Sequence, residues 1–317
     1  MRIAILDDYQ NVVLDMADWS RIRAAHEVVS FNEHIGDEGE LVRRLGAVDI
    51  LCIMRERTPV MASLIGKLPS LKLIVTTGGA HAGLDVKAAA ERGIVCCGTA
   101  SSRYATAELT FGLILALARG IVPQHNSVRA GGWQLALGED VHGKTLGIVG
   151  LGSLGSKVAG YGRAFGMSPI AWSQNLTDEQ AKAGGAVRVS KEELFARSDF
   201  ISIHYKLSAR SRGIAGTAEF ARMKKTAYFI NTSRGPLIDE TALIAALQDG
   251  RIAGAALDVF EQEPLPKGHA LLTCPRVLLT PHVGYASREN YVGYFREVVE
   301  DIEGWLAGKP VRVLAAA

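Results

Sequence analysis

Three side chains of complementary chemistry stand behind apolar runs in the second half of the sequence. Arg234 follows Tyr228–Ser233, Glu263 follows the run ending Asp258-Val259-Phe260, and His282 follows Val277–Pro281. A guanidinium fork can bind a carboxylate or polarise a carbonyl. An imidazole can give a proton to an oxygen that is becoming an alkoxide and take it back in the reverse direction. A carboxylate on the far ring nitrogen fixes the ring and favours the imidazolium. Together the three suit hydride transfer on a 2-keto or 2-hydroxy acid. Each alone has a plain structural explanation: a solvated loop-end arginine, a member of an acidic loop with Glu261, a turn histidine. Their coincidence carries the reading. His204, at another strand end, reads as structural.

A hydride needs a carrier, and Gly150-Leu151-Gly152-Ser153-Leu154-Gly155 has the pattern that holds one. It lies between Thr145–Val149, a strand-like run, and Ser156–Phe165, a helix-like run. The first glycine permits the tight turn, the second lets backbone approach a pyrophosphate, and the third lets helix and strand pack closely. The helix N-terminus adds free N–H groups and a positive dipole end. The alternative is a purely structural glycine turn. If the second-half strands are parallel, Arg234, Glu263 and His282 emerge at the same edge as this turn.

The elements that must position these groups alternate in type. Strands are expected at Ile3–Leu6, Val28–Phe31, Ile50–Met54, Leu73–Thr76 and Ile94–Cys96, with helices at Val12–Ala25, Glu38–Leu45, Ala62–Lys67 and Val86–Arg92, the pattern of a parallel α/β sheet. Thr77-Gly78-Gly79-Ala80 follows a strand, and is either a simple turn or a ligand loop at the strand's C-terminal end. Residues 102–120 read as one long apolar helix, opened by Ser101 or Ser102, that carries the chain between domains. A polar, Gly-rich stretch runs on to Gly143. The second α/β unit then takes strands at Thr145–Val149, Pro169–Trp172, Phe200–His204, Ala227–Asn231, Ile252–Val259 and Val277–Leu279, with helices at Asp178–Ala183 and Glu240–Gln248. A last helix, Arg288–Leu306, is free to return to the first domain.

Composition narrows the partners. The chain has 317 residues, enough for two domains, and a formal net charge of +2, which implies neither nucleic acid nor an anionic membrane. Cys52, Cys96, Cys97 and Cys274 lie in or beside apolar runs without metal-ligand spacing, so reduced thiols and no metal site are expected. No apolar run reaches the length of a membrane span. The sequence enters a strand at once, Arg2–Leu6, and with no leader read there the expected location is cytoplasmic.

Ala105-Thr106-Ala107-Glu108-Leu109, the glycine turn, Asn231-Thr232-Ser233-Arg234-Gly235, Ala256–Pro264 and Thr280-Pro281-His282-Val283-Gly284 occur in an order and spacing that resemble the D-isomer-specific 2-hydroxyacid dehydrogenase family. The resemblance implies an α/β fold of two Rossmann-like or flavodoxin-like parallel-sheet domains with the active site in the cleft between them. Residues 1–101 plus 287–317 would form the substrate domain, and 102–286 the NAD(P)-binding domain. Arg234, Glu263 and His282 would be the catalytic trio. Backbone N–H groups of Gly78 and Gly79, with Arg234, would hold the substrate carboxylate. Cofactor contacts would fall on Thr106, Gly150, Gly152, Ser153, Leu154, Gly155, Tyr205, Thr232 and Asp258, the last near the nicotinamide carboxamide. Homodimers would form largely through the cofactor domain.

Two stretches depart from the family pattern. NAD-preferring members carry an acidic residue after the second strand, and here Ser173 holds that place. Ser173, Gln174 and Asn175 could hydrogen-bond either a ribose hydroxyl or a 2′-phosphate, and Arg188 or Lys182 could approach, so the cofactor is read as NAD(P)(H) without a choice between the two. In Thr77–Asp85, many members have glycine at the place of Ala80 and an Asp-Asn pair at those of Ala82 and Gly83. The substrate pocket is expected near Met54, Arg55 and His81, with Arg55 either meeting a second acidic group or solvated. The expected reaction is hydride transfer between NAD(P)(H) and a small D-2-hydroxy or 2-keto acid. The alternatives are a dehydrogenase of another small anion, formate or phosphite, and a corepressor-like sensing scaffold that keeps the same trio. The extra polar residues of formate enzymes are not found, and no appended tail supports the scaffold.

Overall fold

Short, largely apolar runs such as Ile50–Ile53 and Leu73–Thr76 are buried along their full length, as strands covered on both faces require. The computed structural model describes residues 1–79, 83–100, 102 and 104–315. The expectations placed on Ala80, His81, Ala82 and Ser101 fall outside them. The chain divides into two units, Met1–Ser102 with Ala286–Ala317, and Arg103–Tyr285.

The first unit holds a five-stranded parallel sheet: β1 (Arg2–Ile5), β2 (Glu27–Ser30), β3 (Ile50–Ile53), β4 (Leu73–Thr76) and β5 (Val95–Gly98), in the order β2-β1-β3-β4-β5. The C-terminal helix Arg288–Leu306 belongs to this unit and buries Tyr291, Tyr294, Phe295, Val298 and Ile302. The single helix expected over Val12–Ala25 is instead a 3₁₀ turn, Val13–Asp15, and a helix, Ser20–Ala25. Side chains intercept the backbone there. Asp8 accepts the amides of Val12 and Val13, the Trp19 indole donates to the Val13 carbonyl, and Asp18 accepts the Ser20 amide, which competes with a continuous helix.

The second unit holds a seven-stranded parallel sheet: β6 (Thr145–Val149), β7 (Ser168–Trp172), β8 (Val187–Arg188), β9 (Phe200–Ile203), β10 (Tyr228–Asn231), β11 (Gly254–Leu257) and β12 (Val277–Leu279), in the order β12-β11-β10-β9-β6-β7-β8. The strands end in step. Leu279, Leu257, Asn231, Ile203, Val149 and Trp172 are register partners across six neighbouring strands. Phe195, Phe220, Phe229 and Leu243 fill the core on one side, and Phe111, Ile114 and Val158 belong to a second core cluster with Ile148.

The helix expected over 102–120 spans Ala105–Arg119 and stops at Gly120, whose φ of +57° is a left-handed cap. A second helix, Ile121–Arg129, leaves it at 62° where the sequence reads as a polar loop. It buries none of its residues, so it carries no apolar period to read. The short helices Lys191–Arg197 and Thr217–Arg222 and strand β8 also go beyond the sequence reading. Among the described residues no single helix is long and apolar enough to cross a membrane.

Candidate active site

The residue following each member of the register row is Thr280, Asp258, Thr232, His204, Gly150 or Ser173. Neighbouring parallel strands lie about 4.8 Å apart, so these six positions form one line along the C-terminal edge of the sheet. The candidate residues of the second unit hang from that line.

At the glycine turn the three glycines answer to three different constraints. Gly150 has φ +99°, and a Cβ there would lie 2.5 Å from the His204 carbonyl oxygen. A Cβ on Gly155 would lie 2.2 Å from the Gly150 carbonyl oxygen, because helix Ser153–Ala164 packs directly on the turn. A Cβ on Gly152 would meet nothing within 4 Å. Its open face borders a cavity of about 710 Å³, whose lining includes Gly150, Leu151, Ser173, Asn175, Tyr205 and Lys206. Ser153 and Leu154 begin the helix but do not line the cavity, which Gly152 and Ser156 border on either side of them. The cradle fits a pyrophosphate approaching bare backbone.

Ser173 lines the cavity and accepts the Leu151 amide at 3.3 Å. Gln174 is exposed and is not part of the lining, and its amide donates to the Tyr205 hydroxyl at 3.2 Å. The Tyr205 ring stacks on Trp172 at 6.2 Å, and its carbonyl accepts the Ser233 hydroxyl at 2.8 Å. Neither Arg188 nor Lys182 lines the cavity, and Arg188 pairs with Asp178 at 3.7 Å. Gln180 and Lys206 do line it. Sequence reasoning passed over both, since neither belongs to a motif.

Thr232 is buried, and its Oγ1 lies 2.7 Å from that of Thr110. Thr110 donates to the Thr106 carbonyl, also at 2.7 Å, so its one proton is spent there and Thr232 is the donor to Thr110. His204 Nε2 lies 2.9 Å from the Ser202 hydroxyl. Burial of the ring pulls its pKa down to about 4, so it is neutral at neutral pH.

Asp258 is fully buried. Its Oδ1 accepts the Thr280 hydroxyl at 2.6 Å and the Val283 amide at 2.9 Å, and its Oδ2 accepts the Gly284 amide at 2.8 Å. Burial pushes its carboxyl up while these donors pull it down. The carboxylate faces the 280–284 loop, because the residue after β11 stands beside the chain leaving its neighbour β12.

That loop carries His282, which sits at φ +51°, a conformation uncommon outside glycine. His282 Nδ1 lies 2.5 Å from Glu263 Oε2, Glu263 Oε1 accepts the Phe260 amide at 2.9 Å, and the ring meets Tyr285 edge-on at 5.6 Å. The carboxylate therefore takes Nδ1, and Nε2 is the nitrogen left for chemistry. Arg234 is half-buried and leads into the 3₁₀ turn Gly235–Leu237. Asn231 Nδ2 donates to its carbonyl at 3.0 Å, and its own Nη1 donates to the Ser233 carbonyl at 2.6 Å. A Cβ on Gly235 would lie 1.9 Å from the Phe260 carbonyl oxygen. The Arg234 loop thus rests directly on the segment that leads to Glu263.

In the other unit, Gly78 follows β4 with φ +95°. Its amide donates to Thr99 Oγ1 at 2.9 Å. The expectation that this N–H holds a substrate carboxylate therefore meets a group already engaged within the fold, while Gly79 follows it in the same loop.

Residues 111–284 match the family described as D-isomer specific 2-hydroxyacid dehydrogenase, NAD binding domain. The chain is 40% identical over 274 residues, 85% of its length, to the D-3-phosphoglycerate dehydrogenase of Methanocaldococcus jannaschii, of which it spans about half, 52%. It is 40% identical over 256 residues, 78% of its length, to the glyoxylate reductase of Aeropyrum pernix, covering 76% of that protein. The solved structure of a phosphoglycerate oxidoreductase from Vibrio cholerae superposes with a TM-score of 0.93 at 37% identity, covering 97% of this chain and 99% of the other.

Proposed function

This chain belongs to the D-isomer specific 2-hydroxyacid dehydrogenase family, and from that premise we propose that it interconverts a small 2-keto acid and its D-2-hydroxy acid with NAD(P)(H). The observation that carries the reading is the 2.5 Å pair of His282 and Glu263, hung from the same sheet edge as the open-faced glycine turn. A bound nicotinamide supplies or accepts the hydride. Arg234 binds the substrate carboxylate or polarises its carbonyl. His282 Nε2 protonates the carbonyl oxygen in reduction and receives the proton in oxidation. Glu263 fixes the ring and stabilises its protonated form. Thr106, Thr232 and Tyr205 would shape the cofactor's surroundings, and Asp258 would support the His282 loop. In this proposal Met1–Ser102 with Ala286–Ala317 serve substrate binding, at the loop after β4 where the Gly78 amide is held by Thr99 and Gly79 follows it, and the other unit serves the cofactor.

The protein is further proposed to act as a homodimer. Support comes from an apolar stretch exposed in the cofactor unit, where Trp133 is 74% and Leu137 100% exposed, beside the outward-facing helix Ile121–Arg129. A cytoplasmic location belongs to the same reading and is checked by cell fractionation.

The test is oxidation of NADH and NADPH against glyoxylate, hydroxypyruvate, pyruvate, phenylpyruvate and 2-ketoisocaproate, with His282→Ala and Arg234→Ala alongside. Turnover with one acid, lost by a factor of about 10² or more in both variants while dinucleotide binding persists, is the expected result. Normal turnover in either variant removes that residue from the mechanism. Tight dinucleotide binding without turnover of any acid would favour the sensing scaffold.

A further inference from the structure

We propose that the dinucleotide site of this chain selects the 2′-phosphorylated cofactor, NADP(H), and that Lys206 is the residue that recognises the phosphate. The inference rests on the reading of the glycine turn as a dinucleotide site.

The cavity beside Gly152 is bounded by Gly150, Leu151, Gly152, the helix residue Ser156, the segment after β7, the helix Asp178–Ala183 and the segment after β9. Among the described residues its lining contains no aspartate or glutamate. A dinucleotide site selects the unphosphorylated ribose with a carboxylate after the second strand. That group accepts hydrogen bonds from the ribose hydroxyls and repels a phosphate. Ser173 stands there, and its hydroxyl already accepts the Leu151 amide. Among the described residues no carboxylate lines this end of the cavity to oppose a phosphate.

Lys206 is the lining's cation. It is exposed, and it forms no ion pair among the described residues. Its backbone is fixed on both sides. The Lys206 carbonyl accepts the Ser211 hydroxyl at 2.7 Å, and the preceding Tyr205 stacks on Trp172 while its hydroxyl accepts the Gln174 amide at 3.2 Å. The backbone that carries Lys206 is therefore anchored beside the cavity while its exposed side chain keeps its rotamer freedom, as suits a point charge meeting a phosphate. Asn175 and Gln180 add neutral amides to the same wall. They can donate to phosphate oxygens without imposing a charge of their own.

The experiment measures dissociation constants, independently of turnover. NADPH, NADH, 2′,5′-ADP and 5′-AMP are titrated by calorimetry into the full chain, Lys206→Ala and Ser173→Asp. The wild type is expected to bind NADPH at least tenfold more tightly than NADH, a difference of about 1.4 kcal/mol, and 2′,5′-ADP more tightly than 5′-AMP. Lys206→Ala should lose about tenfold for NADPH and 2′,5′-ADP while NADH and 5′-AMP hold their values. Ser173→Asp should reverse the order. Equal wild-type affinities, or a Lys206→Ala variant whose NADPH-to-NADH ratio is unchanged, overturn the proposal while leaving the dinucleotide site intact. Failure of all four ligands to bind the wild type overturns the dinucleotide reading as well.

Discussion

Asp258→Asn tests how the His282 loop is held. The aspartate accepts three hydrogen bonds, from Thr280, Val283 and Gly284, and is fully buried. An asparagine has one accepting oxygen and one donating nitrogen. In its better orientation the oxygen keeps Thr280 and Val283, and the amide nitrogen then faces the Gly284 N–H donor to donor. A buried donor without an acceptor costs about 1–3 kcal/mol, and the two surviving bonds lose their charge assistance, for a total of roughly 2–4 kcal/mol. The loop has little reserve, since His282 is held at φ +51° and such backbone strain costs on the order of 1–3 kcal/mol. If the loss falls on the placement of His282, kcat/KM drops roughly 30- to 1,000-fold, with the overall fold retained. Steady-state rates, a thermal melt and dinucleotide titration read this together. The pH profile adds a second readout. Burial raises the Asp258 carboxyl, so protonation on the acid side removes its accepting capacity earlier than in an exposed carboxylate. Wild-type activity then carries an acid limb that Asp258→Asn lacks. A variant with a rate within threefold of wild type and an unchanged pH profile would refute the assignment of Asp258 as the support of this loop.

Gly155→Ala drives a methyl to 2.2 Å from the Gly150 carbonyl oxygen, and by the cost of overpacking should destabilise the second unit by about 1–3 kcal/mol, read as a lowered unfolding midpoint. Gly152→Ala meets no protein atom within 4 Å, so its midpoint should be unchanged while dinucleotide affinity falls, and calorimetry separates the two variants. Leu137→Asp places a charge on a fully exposed leucine and should convert a dimer to monomers in light scattering; a monomeric wild type would remove the dimer proposal. Asp301 is buried, with Arg312 Nε at 2.9 Å, yet burial lifts its pKa from 3.8 to about 6. Between those values the folded state keeps a proton that the unfolded chain has lost, so stability falls as pH rises from about 4 to about 6. Asp301→Asn should flatten that part of the profile in urea unfolding.

The elements legible in the sequence were those whose burial writes a pattern. Glu38–Leu45, Thr145–Val149, Glu240–Gln248 and Arg288–Leu306 have in the structure the bounds read from their apolar spacing. Ile121–Arg129 buries nothing, and Val187–Arg188 is two residues long, so neither leaves a period to detect. The strand-end positions of Arg234, Glu263 and His282 followed from the runs before them. The hydrogen-bond partners of Asp258 did not, because all three come from a loop more than twenty residues away. Lys206 escaped for a similar reason, since only the packing of Tyr205 against Trp172 shows that the residue after it borders the glycine turn.

The shared ending of six strands bears on how this half of the chain can vary in length. A strand places alternate residues on opposite faces, so one residue added or removed inside β6, β7, β9, β10, β11 or β12 would turn its last side chain to the wrong face and carry the following residue off the common line. A deletion in β11 would withdraw Asp258 from the 280–284 loop, and one in β12 would move that loop away from Asp258. Insertions and deletions should therefore gather in the connections at the opposite edge of the sheet, after the helices and before the strands. Libraries built by varying length should survive there, at positions such as Gly143 and Gly250, and fail within the strands themselves.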